Sequence, residues 1–311
     1  MNQALALPVA STADSGDVFR SRFSIGGVSV EVVGSCADDA RLVPSLEPFR
    51  VPPGDADVSI RVEWCSFLEL PSSRKLFDSG TTWRLYEDAG GFSFDFNAPV
   101  FGNQPYKRLF IDREFRDATL QMNRAAFDAF PCESEPLEYP LDELLIMHRL
   151  TQDRAIELHG AGIVRANGVG NLFIGHSGAG KSTTTRMWME REEVEILSDD
   201  RIIVRRDRAM PTRMRMYGTP WHGEAMFASP GSAPLTRIVV LQHGKGNALT
   251  RLPAGEAVAE LFARSFVPFH RHEYVDSSLR FLEELVEAVP VYLYAFEPHQ
   301  SAVDTILNLH D

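Results

Sequence analysis

The sequence predicts a chain of two parts, a β-rich N-terminal half and an α/β C-terminal half. Its 311 residues suggest two domains, since one domain usually takes about 150 residues. Apolar and polar residues alternate through much of 19–135, which is typical of strands. After Pro140 the apolar spacing becomes that of an amphipathic helix, and strands then alternate with helices, as they do in α/β folds.

The N-terminal half is predicted to contain a loose tail and a β-rich domain. The tail covers residues 1–18, which are rich in Ala, Ser and Asp, and chain ends of this kind are often poorly ordered. The domain covers residues 19–135 and is expected to consist largely of antiparallel hairpins. Its predicted strands are 23–25, 28–32, 57–64, 83–86, 91–96, 108–111 and 118–123.

The C-terminal domain is predicted to cover residues 136–311. An amphipathic helix over 141–151 opens it, with apolar residues at helical spacing. The predicted strands are 155–159, 161–164, 170–174, 194–198, 202–204, 238–242 and 291–296, and the predicted helices are 181–191, 254–265, 277–288 and 301–309.

The composition excludes several classes of partner. With 31 basic and 43 acidic residues, the formal net charge is -12, whereas nucleic-acid binding needs clustered Lys and Arg. An anionic membrane surface is disfavoured for the same reason. We therefore predict neither a nucleic-acid partner nor a membrane partner.

The cysteines and the N-terminus predict a cytoplasmic location. Cys36, Cys65 and Cys132 are odd in number and lack the spacing of a metal site or a disulfide framework. The N-terminus has neither a basic segment nor a long apolar segment of the kind found in a secretory signal. No apolar run reaches the roughly 18 residues of a transmembrane helix.

A phosphate-binding loop is the strongest motif. Residues 175–182 match G-x-x-x-x-G-K-[ST] at each defined position, between a predicted strand and a predicted helix. Glycines let successive backbone N–H groups cradle phosphate, and the helix N-terminus adds partial positive charge. We predict ATP and Mg²⁺ as cofactors, with His176 at a variable position of the loop. The predicted cofactor-binding residues are Gly175, Ser177, Gly178, Ala179, Gly180, Lys181, Ser182 and Thr183.

Two adjacent carboxylates, Asp199 and Asp200, follow the predicted strand 194–198. The carboxyl end of a strand is where α/β sheets place ligands. One carboxylate could face Mg²⁺ while the other accepts the proton of an attacking alcohol. A solvated turn or a helix cap is the equal alternative.

Several of these segments together resemble the catalytic domain of HPr kinase/phosphorylase and its bacterial relatives. They are His159-Gly160, the turn and phosphate loop over 169–182, and Leu-Ser-Asp-Asp-Arg over 197–201. The resemblance covers 140–311 in outline and is specific over 155–205. It implies an α/β P-loop kinase domain similar to the nucleotide domain of phosphoenolpyruvate carboxykinase, preceded here by the β-rich domain.

The resemblance also implies roles for individual residues. In that family ATP phosphorylates a serine hydroxyl and an Asp of the pair acts as the base. Asp199 is therefore expected to be the base, with Lys181 and His159 as the other catalytic residues close to the phosphates. Ser182 and Asp200 are expected to hold the metal.

The sequence departs from the family in two places. The glycine-rich signature that follows the Asp-Asp strand is replaced by residues 217–224, and the N-terminal half does not match the usual regulatory domain. Both features are similar to the divergent HPr kinase-related branch, which includes peptide-tailoring kinases of lasso-type clusters. HPr as substrate and reverse phosphorolysis are therefore not expected.

Two further segments are candidates for substrate or phosphate contacts. Trp221, His222 and Glu224 could bind acceptor or nucleotide, or they could form an ordinary loop whose Trp packs on the core. Arg213 and Arg215 could neutralise phosphoryl charge or form a solvated basic face. The cluster over 269–272 is interpreted as a surface loop.

The sequence thus predicts a kinase that transfers phosphate to a Ser/Thr-type hydroxyl of a peptide or small protein. Two alternatives stay open: a small-molecule kinase acting on serine, a sugar or a hydroxy acid, and an ATP-binding switch without transfer. The N-terminal domain is expected to recognise the acceptor or to be structural, and a homo-oligomer is left open.

Overall fold

The computed structural model describes residues 18–67, 73–87, 89–102, 104–130 and 132–309. Residues 1–17 of the predicted tail lie outside the described residues. The chain divides into two compact units, residues 1–145 and 146–311.

The first unit is built on one eight-stranded sheet with the strand order β1-β2-β3-β8-β7-β6-β5-β4. The pairs β2–β3 and β3–β8 are parallel, and the remaining pairs are antiparallel. Antiparallel pairs of consecutive strands therefore make up most of the sheet, as the sequence predicts, and the two parallel pairs at β3 interrupt them. The strands are β1 (Phe19–Ile25), β2 (Val28–Gly34), β3 (Val58–Cys65), β4 (Arg74–Asp78), β5 (Trp83–Glu87), β6 (Gly91–Phe96), β7 (Lys107–Asp112) and β8 (Asp117–Asn123).

Strand β6 shows how this sheet is packed, because all six of its residues are buried. Phe94 contacts the rings of Phe96 and Phe115. Strand alternation places Asp95 on the opposite face, where it accepts hydrogen bonds of 2.5 and 3.0 Å from Arg108. The charge of this buried carboxylate is thus paired within the sheet.

The second unit is built on a nine-stranded mixed sheet. Its path is β10-β9-β12-β13-β14-β17-β15, with β11 and β16 also paired to β9 and with β10 paired to β14. The strands are β9 (Ala155–Arg165), β10 (Gly170–Ile174), β11 (Val194–Ser198), β12 (Arg201–Arg206), β13 (Met214–Tyr217), β14 (Ser232–His243), β15 (Ala248–Arg251), β16 (Ser265–Phe266) and β17 (Val291–Phe296).

Six α-helices accompany the sheets in the described part of the chain. The longest has 17 residues, and no helix of the described ranges is long and apolar enough to cross a membrane. The helices are α1 (Arg124–Ala129), α2 (Leu141–Gln152), α3 (Lys181–Arg191), α4 (Ala254–Phe262), α5 (His272–Ala288) and α6 (Gln300–Leu307).

The second unit has an apolar core on each side of β10. Leu172 and Ile174 belong to the core that includes side chains of α4 and α5. Phe173, which alternation directs to the other face, belongs to the core formed with α3 and α6. The end of β10 and the start of α3 are therefore held on both faces, and the loop between them has a rigid base.

The predicted fold class, an α/β P-loop kinase domain, is wrong. The molecule is β-rich, with mixed sheets of eight and nine strands and only 25% helix. The strand–helix alternation breaks down over 201–243, where β12, β13 and β14 pair antiparallel without intervening helices. Within 146–309, only β10–β14 and β14–β17 pair in parallel. Periodicity identified strands there but not their direction of pairing.

Asp39 is a buried carboxylate that organises the turn after β2. It accepts hydrogen bonds from Trp64 Nε1 (2.7 Å), from the Ser35 hydroxyl (2.9 Å) and from the backbone N–H groups of Ser35 and Cys36. Burial raises the pKa of Asp39, but the hydrogen bonds to the charged form outweigh it and hold the pKa below its usual value. The ionised carboxylate therefore stabilises the fold at neutral pH.

We expect Asp39→Asn to destabilise the first unit. The amide has one acceptor oxygen in place of two, so it leaves part-buried N–H donors without an acceptor, which costs about 1 kcal/mol or more. Because the folded pKa is lowered, the contribution of the carboxylate is full above the unfolded pKa and is lost as pH falls through the folded value. Thermal unfolding from pH 7 to pH 3 should show a deficit that shrinks below about pH 4. The exposed neighbour Asp38→Asn is the control, and a deficit independent of pH would contradict this account.

Candidate functional site

The loop over 175–180 connects β10 to the N-terminus of α3. Gly178 (φ 80°) and Gly180 (φ 102°) have positive φ values, which glycine adopts without steric cost. Helix α3 begins at Lys181, so the N–H groups of its first turn have no acceptor within the helix. The loop therefore presents backbone donors and a helix N-terminus to the same space, an arrangement that suits an anion.

Lys181 lies against this loop and is largely buried. Its ammonium donates hydrogen bonds to the carbonyl oxygens of Gly175 (3.1 Å) and His176 (3.3 Å). Burial lowers the pKa of Lys181, the Asp200 carboxylate raises it, and the Arg201 and Arg264 cations lower it, with a net lowering. Three cations are thus close enough to influence one another, although the chain as a whole carries a net charge of -12.

Two side chains from distant segments hold the phosphate loop. His243 Nε2 lies 2.7 Å from the carbonyl oxygen of Gly178. The Arg264 guanidinium lies 3.0 Å from His176 Nε2, and the Arg264 side chain is also paired with Glu260. Neither His243 nor Arg264 can be recognised from the sequence, because each stands alone in its segment without a local motif.

Asp200 faces the phosphate loop. Its Oδ1 accepts a hydrogen bond of 2.9 Å from His159 Nε2, and its Oδ2 is paired with the Arg201 guanidinium. Burial raises the pKa of Asp200, but the hydrogen bond from His159 and the charges of Arg201 and Lys181 outweigh it and lower the pKa. His159, Lys181 and Asp200 thus lie in one place, together with Arg201 and Arg264.

Asp199 anchors a loop. It is 3% exposed, and its oxygens accept hydrogen bonds from the backbone N–H groups of Gly223 (3.0 Å), Ala225 (2.9 Å) and Phe227 (3.3 Å). Both carboxylates raise the pKa of Lys181, Asp200 more than Asp199, but their hydrogen-bond partners differ.

The residues expected to contact the nucleotide surround the start of α3. Ser182 and Thr183 lie half-buried in its first turn, Ala179 is buried, and Ser177 is exposed on the loop. In the described residues, no group of three or more His, Cys, Asp or Glu side chains could hold a metal by itself.

The segment over 217–224 lies beside the Asp pair. The Trp221 side chain is buried, and its carbonyl oxygen accepts a hydrogen bond from Ser198, which agrees with the alternative of a Trp packed on the core. His222 and Glu224 are exposed. Gly218 cannot be replaced without a shift, because a Cβ would lie 2.0 Å from the Ser229 carbonyl oxygen.

Arg213 and Arg215 do not join the site. Arg215 pairs with Asp207 at 2.8 Å and lies opposite Arg205 in the β12–β13 register. Arg205 is four residues along β12 from Arg201, which corresponds to about 13 Å at ~3.3 Å per residue. Arg213 is exposed and precedes β13, two residues further from Arg201 than Arg215 is.

The ring contacts of His270 are with residues other than those around Lys181. The His270 ring is 5.1 Å from the His148 ring and 5.5 Å from the Tyr274 ring. These contacts join the segment before α5 to α2, so His270 is part of a packing cluster rather than of a freely exposed loop.

Comparisons with known proteins identify no relative. No family model matches the chain, and no curated protein matches it significantly. The resemblance drawn from residues 159–201 therefore stays a prediction, and the function has to be argued from the geometry.

We expect Asp199→Asn to loosen the loop over 218–231. The amide lacks one of the two acceptor oxygens, so at least one part-buried N–H loses its partner, at a cost of about 1 kcal/mol or more. Limited chymotrypsin digestion should cleave the variant faster at Trp221 or Phe227 than the wild type. Asp207→Asn is the matched control, because Asp207 accepts hydrogen bonds from Ala209 and Met210 in a different turn. Equal cleavage in both variants would contradict the anchoring role.

Proposed function

We propose that this protein transfers the γ-phosphate of ATP, with Mg²⁺, to a Ser/Thr-type hydroxyl of a peptide or small protein. One observation carries the proposal: the Asp200–His159 pair lies next to the strand end that leads into the phosphate loop. Gly160, which is paired with Ile174, donates a hydrogen bond of 3.0 Å to the Asp200 carbonyl oxygen. A cation-lined loop binds the donor phosphate, and a carboxylate beside it can accept a proton from the attacking hydroxyl.

The phosphate loop supplies donor binding. The positive φ values of Gly178 and Gly180 and the start of α3 at Lys181 provide backbone donors for the β-phosphate. A Cβ at Gly178 would meet no atom within 4 Å, so the space above the loop is open for a phosphate. The Ser182 hydroxyl would hold Mg²⁺ together with phosphate oxygens, and the ion would neutralise charge on the β- and γ-phosphates.

Transfer then requires one proton acceptor. The hydroxyl oxygen forms a bond to the γ-phosphorus, the bond to the oxygen bridging the β- and γ-phosphates breaks, and ADP leaves. We assign the hydroxyl proton to the Asp200–His159 pair. Asp200 is favoured over Asp199 as the base because its carboxylate is paired with the His159 imidazole, which can take up a proton. Asp199 is bonded instead to the backbone N–H groups of Gly223, Ala225 and Phe227.

The cations of the site would stabilise the charge that develops on the transferred phosphoryl group. The Lys181 ammonium bonds to the loop carbonyl oxygens of Gly175 and His176. The Arg264 guanidinium contacts the His176 side chain. Positive charge placed near the transferred group offsets the negative charge of the phosphate oxygens.

The class of acceptor follows from charge and exposure. An acidic protein attracts basic partners, and the exposed His222 and Glu224 lie on the loop that Asp199 anchors beside Asp200. A basic peptide segment carrying Ser or Thr fits these features better than an acidic protein does. We place the reaction in the cytoplasm, where ATP is the phosphoryl donor.

Lys181→Met tests the binding step. The methionine keeps the apolar contacts but removes the ammonium, and we expect the affinity for Mg·ATP to fall by about tenfold or more, since a charge-assisted hydrogen bond contributes about 1.5–3 kcal/mol. Isothermal titration calorimetry measures the change, with the exposed Lys245→Met as control. Absence of Mg·ATP binding by the wild type would overturn the proposal at its first step.

Asp200→Asn tests the transfer step. Loss of the proton acceptor should lower the rate of transfer about 10²–10⁴-fold while Mg·ATP binding stays within a few-fold of wild type. ³²P transfer from γ-labelled ATP to a library of Ser/Thr peptides with basic flanks provides the assay, and Asp304→Asn, in a surface pair with Arg191, is the control.

The same assay separates the classes of acceptor. Label on free serine, sugars or hydroxy acids but on no peptide would indicate a small-molecule kinase. ADP release without any labelled acceptor would indicate an ATP-binding switch. Full activity of Asp200→Asn with loss in Asp199→Asn would reverse the assignment of the base.

A further inference from the structure

Glu157 is a buried acid that the proposed reaction does not use. Its side chain is 0% exposed and lies on the central strand β9. Because strand side chains alternate, Glu157 is on the same face of β9 as His159, two residues along. A buried carboxylate is costly unless it is paired, and its recorded ion pair joins Glu157 Oε1 to Arg201 Nε at 3.4 Å.

Arg201 connects Glu157 to the reactive end of the sheet. Its Nη1 pairs with Asp200 Oδ2, while its Nε faces Glu157. The guanidinium also stacks over the Phe266 ring, with its central carbon 4.0 Å from the ring centre. In the β9–β12 register Arg201 lies opposite His159, so one cation bridges two acids beside the imidazole that also holds Asp200.

The geometry fits a guanidinium and not an ammonium. A planar guanidinium offers donors along several edges and a flat face for an aromatic ring, so it can hold two carboxylates and a ring at once. An ammonium is a compact point charge on a flexible stem. The Asp200 carboxylate is therefore fixed from two sides, by His159 on Oδ1 and by Arg201 on Oδ2.

We propose that Arg201, held by buried Glu157 and by the Phe266 ring, is the positioning residue that aims Asp200 at the phosphate loop. This inference rests on the proposed function, because it assigns Asp200 its orientation for transfer. Glu157 does not face the substrate; it acts through Arg201 by keeping the guanidinium between the two acids. Without Glu157 the cation is free to turn further toward Asp200.

Steady-state kinetics of Arg201→Gln, Arg201→Lys and Glu157→Gln test the positioning role. Displacement of a reacting group by about 1 Å can cost about 10²-fold in rate, so we expect Arg201→Gln to lower kcat by that order. The KM and the calorimetric Kd for Mg·ATP should change by less than about threefold, since the phosphate loop is intact. Arg201→Lys should restore little, because it returns the charge without the planar bridge.

The two positions should also be coupled. If Glu157 acts through Arg201, Glu157→Gln lowers kcat in the wild type but changes it little in the Arg201→Gln background, and the double-mutant cycle shows this as non-additivity. Arg206→Gln, at the other end of β12 and paired with Glu284, is the control for a general effect on the sheet.

A crystal structure of Arg201→Lys gives a readout that needs no activity, and we expect the 2.9 Å contact between His159 and Asp200 to be lost. Retention of that contact, full rescue by Arg201→Lys, or equal losses in kcat and in Mg·ATP affinity would overturn the positioning role. If the wild type transfers phosphate to no acceptor, the proposed function fails, whereas normal kcat in Arg201→Gln refutes only this inference.

Discussion

Strand β9 is the element on which the site depends, because it pairs with four other strands. Each partner brings one segment of the site to residues 158–162. The register pairs are Ile174 with Gly160, Ser198 with Gly162, Arg201 with His159 and Ser265 with Leu158. Strands β9 and β10 lie very close at Gly160, because a Cβ there would be 2.9 Å from the Phe173 carbonyl oxygen. Backbone hydrogen bonding of one strand thus sets the distances between the phosphate loop, the Asp pair and Arg264.

Positively charged side chains lie together at the phosphate loop of this acidic protein. The chain has a net charge of -12, yet Lys181, Arg201 and Arg264 lie near one another at the phosphate loop. Cations gathered in a partly buried place attract a polyanion more strongly than dispersed ones, because screening by water is weaker there. The neighbouring acids divide their tasks: Asp199 anchors a loop, whereas Asp200 keeps its oxygens toward His159 and Arg201.

Residues 201–243 show why the predicted fold class was wrong. The run of strands there satisfies local patterning whether it pairs parallel or antiparallel, since the side-chain period of two is the same. Direction depends on the connections, and the short segments between β11, β12 and β13 leave no room for the crossover that a parallel pair requires. The nine-stranded mixed sheet is the result, rather than an alternation of parallel strands and helices.

The sequence by itself determined the loop over 175–180, the strand before it and the helix after it, because that motif is local. Its glycines permit the turn, and its lysine begins the helix. The sequence also placed the Asp pair at the end of a strand, whereas the strand predicted to end at His159 continues through it to Arg165. The tertiary structure decided the partners of the two aspartates: Asp199 bonds to backbone N–H groups, and Asp200 pairs with His159 and Arg201. It alone brought Arg264, His243 and Glu157 to the site and kept Arg215 about 13 Å away along β12. Those distances follow from strand register across long separations, which local periodicity does not encode.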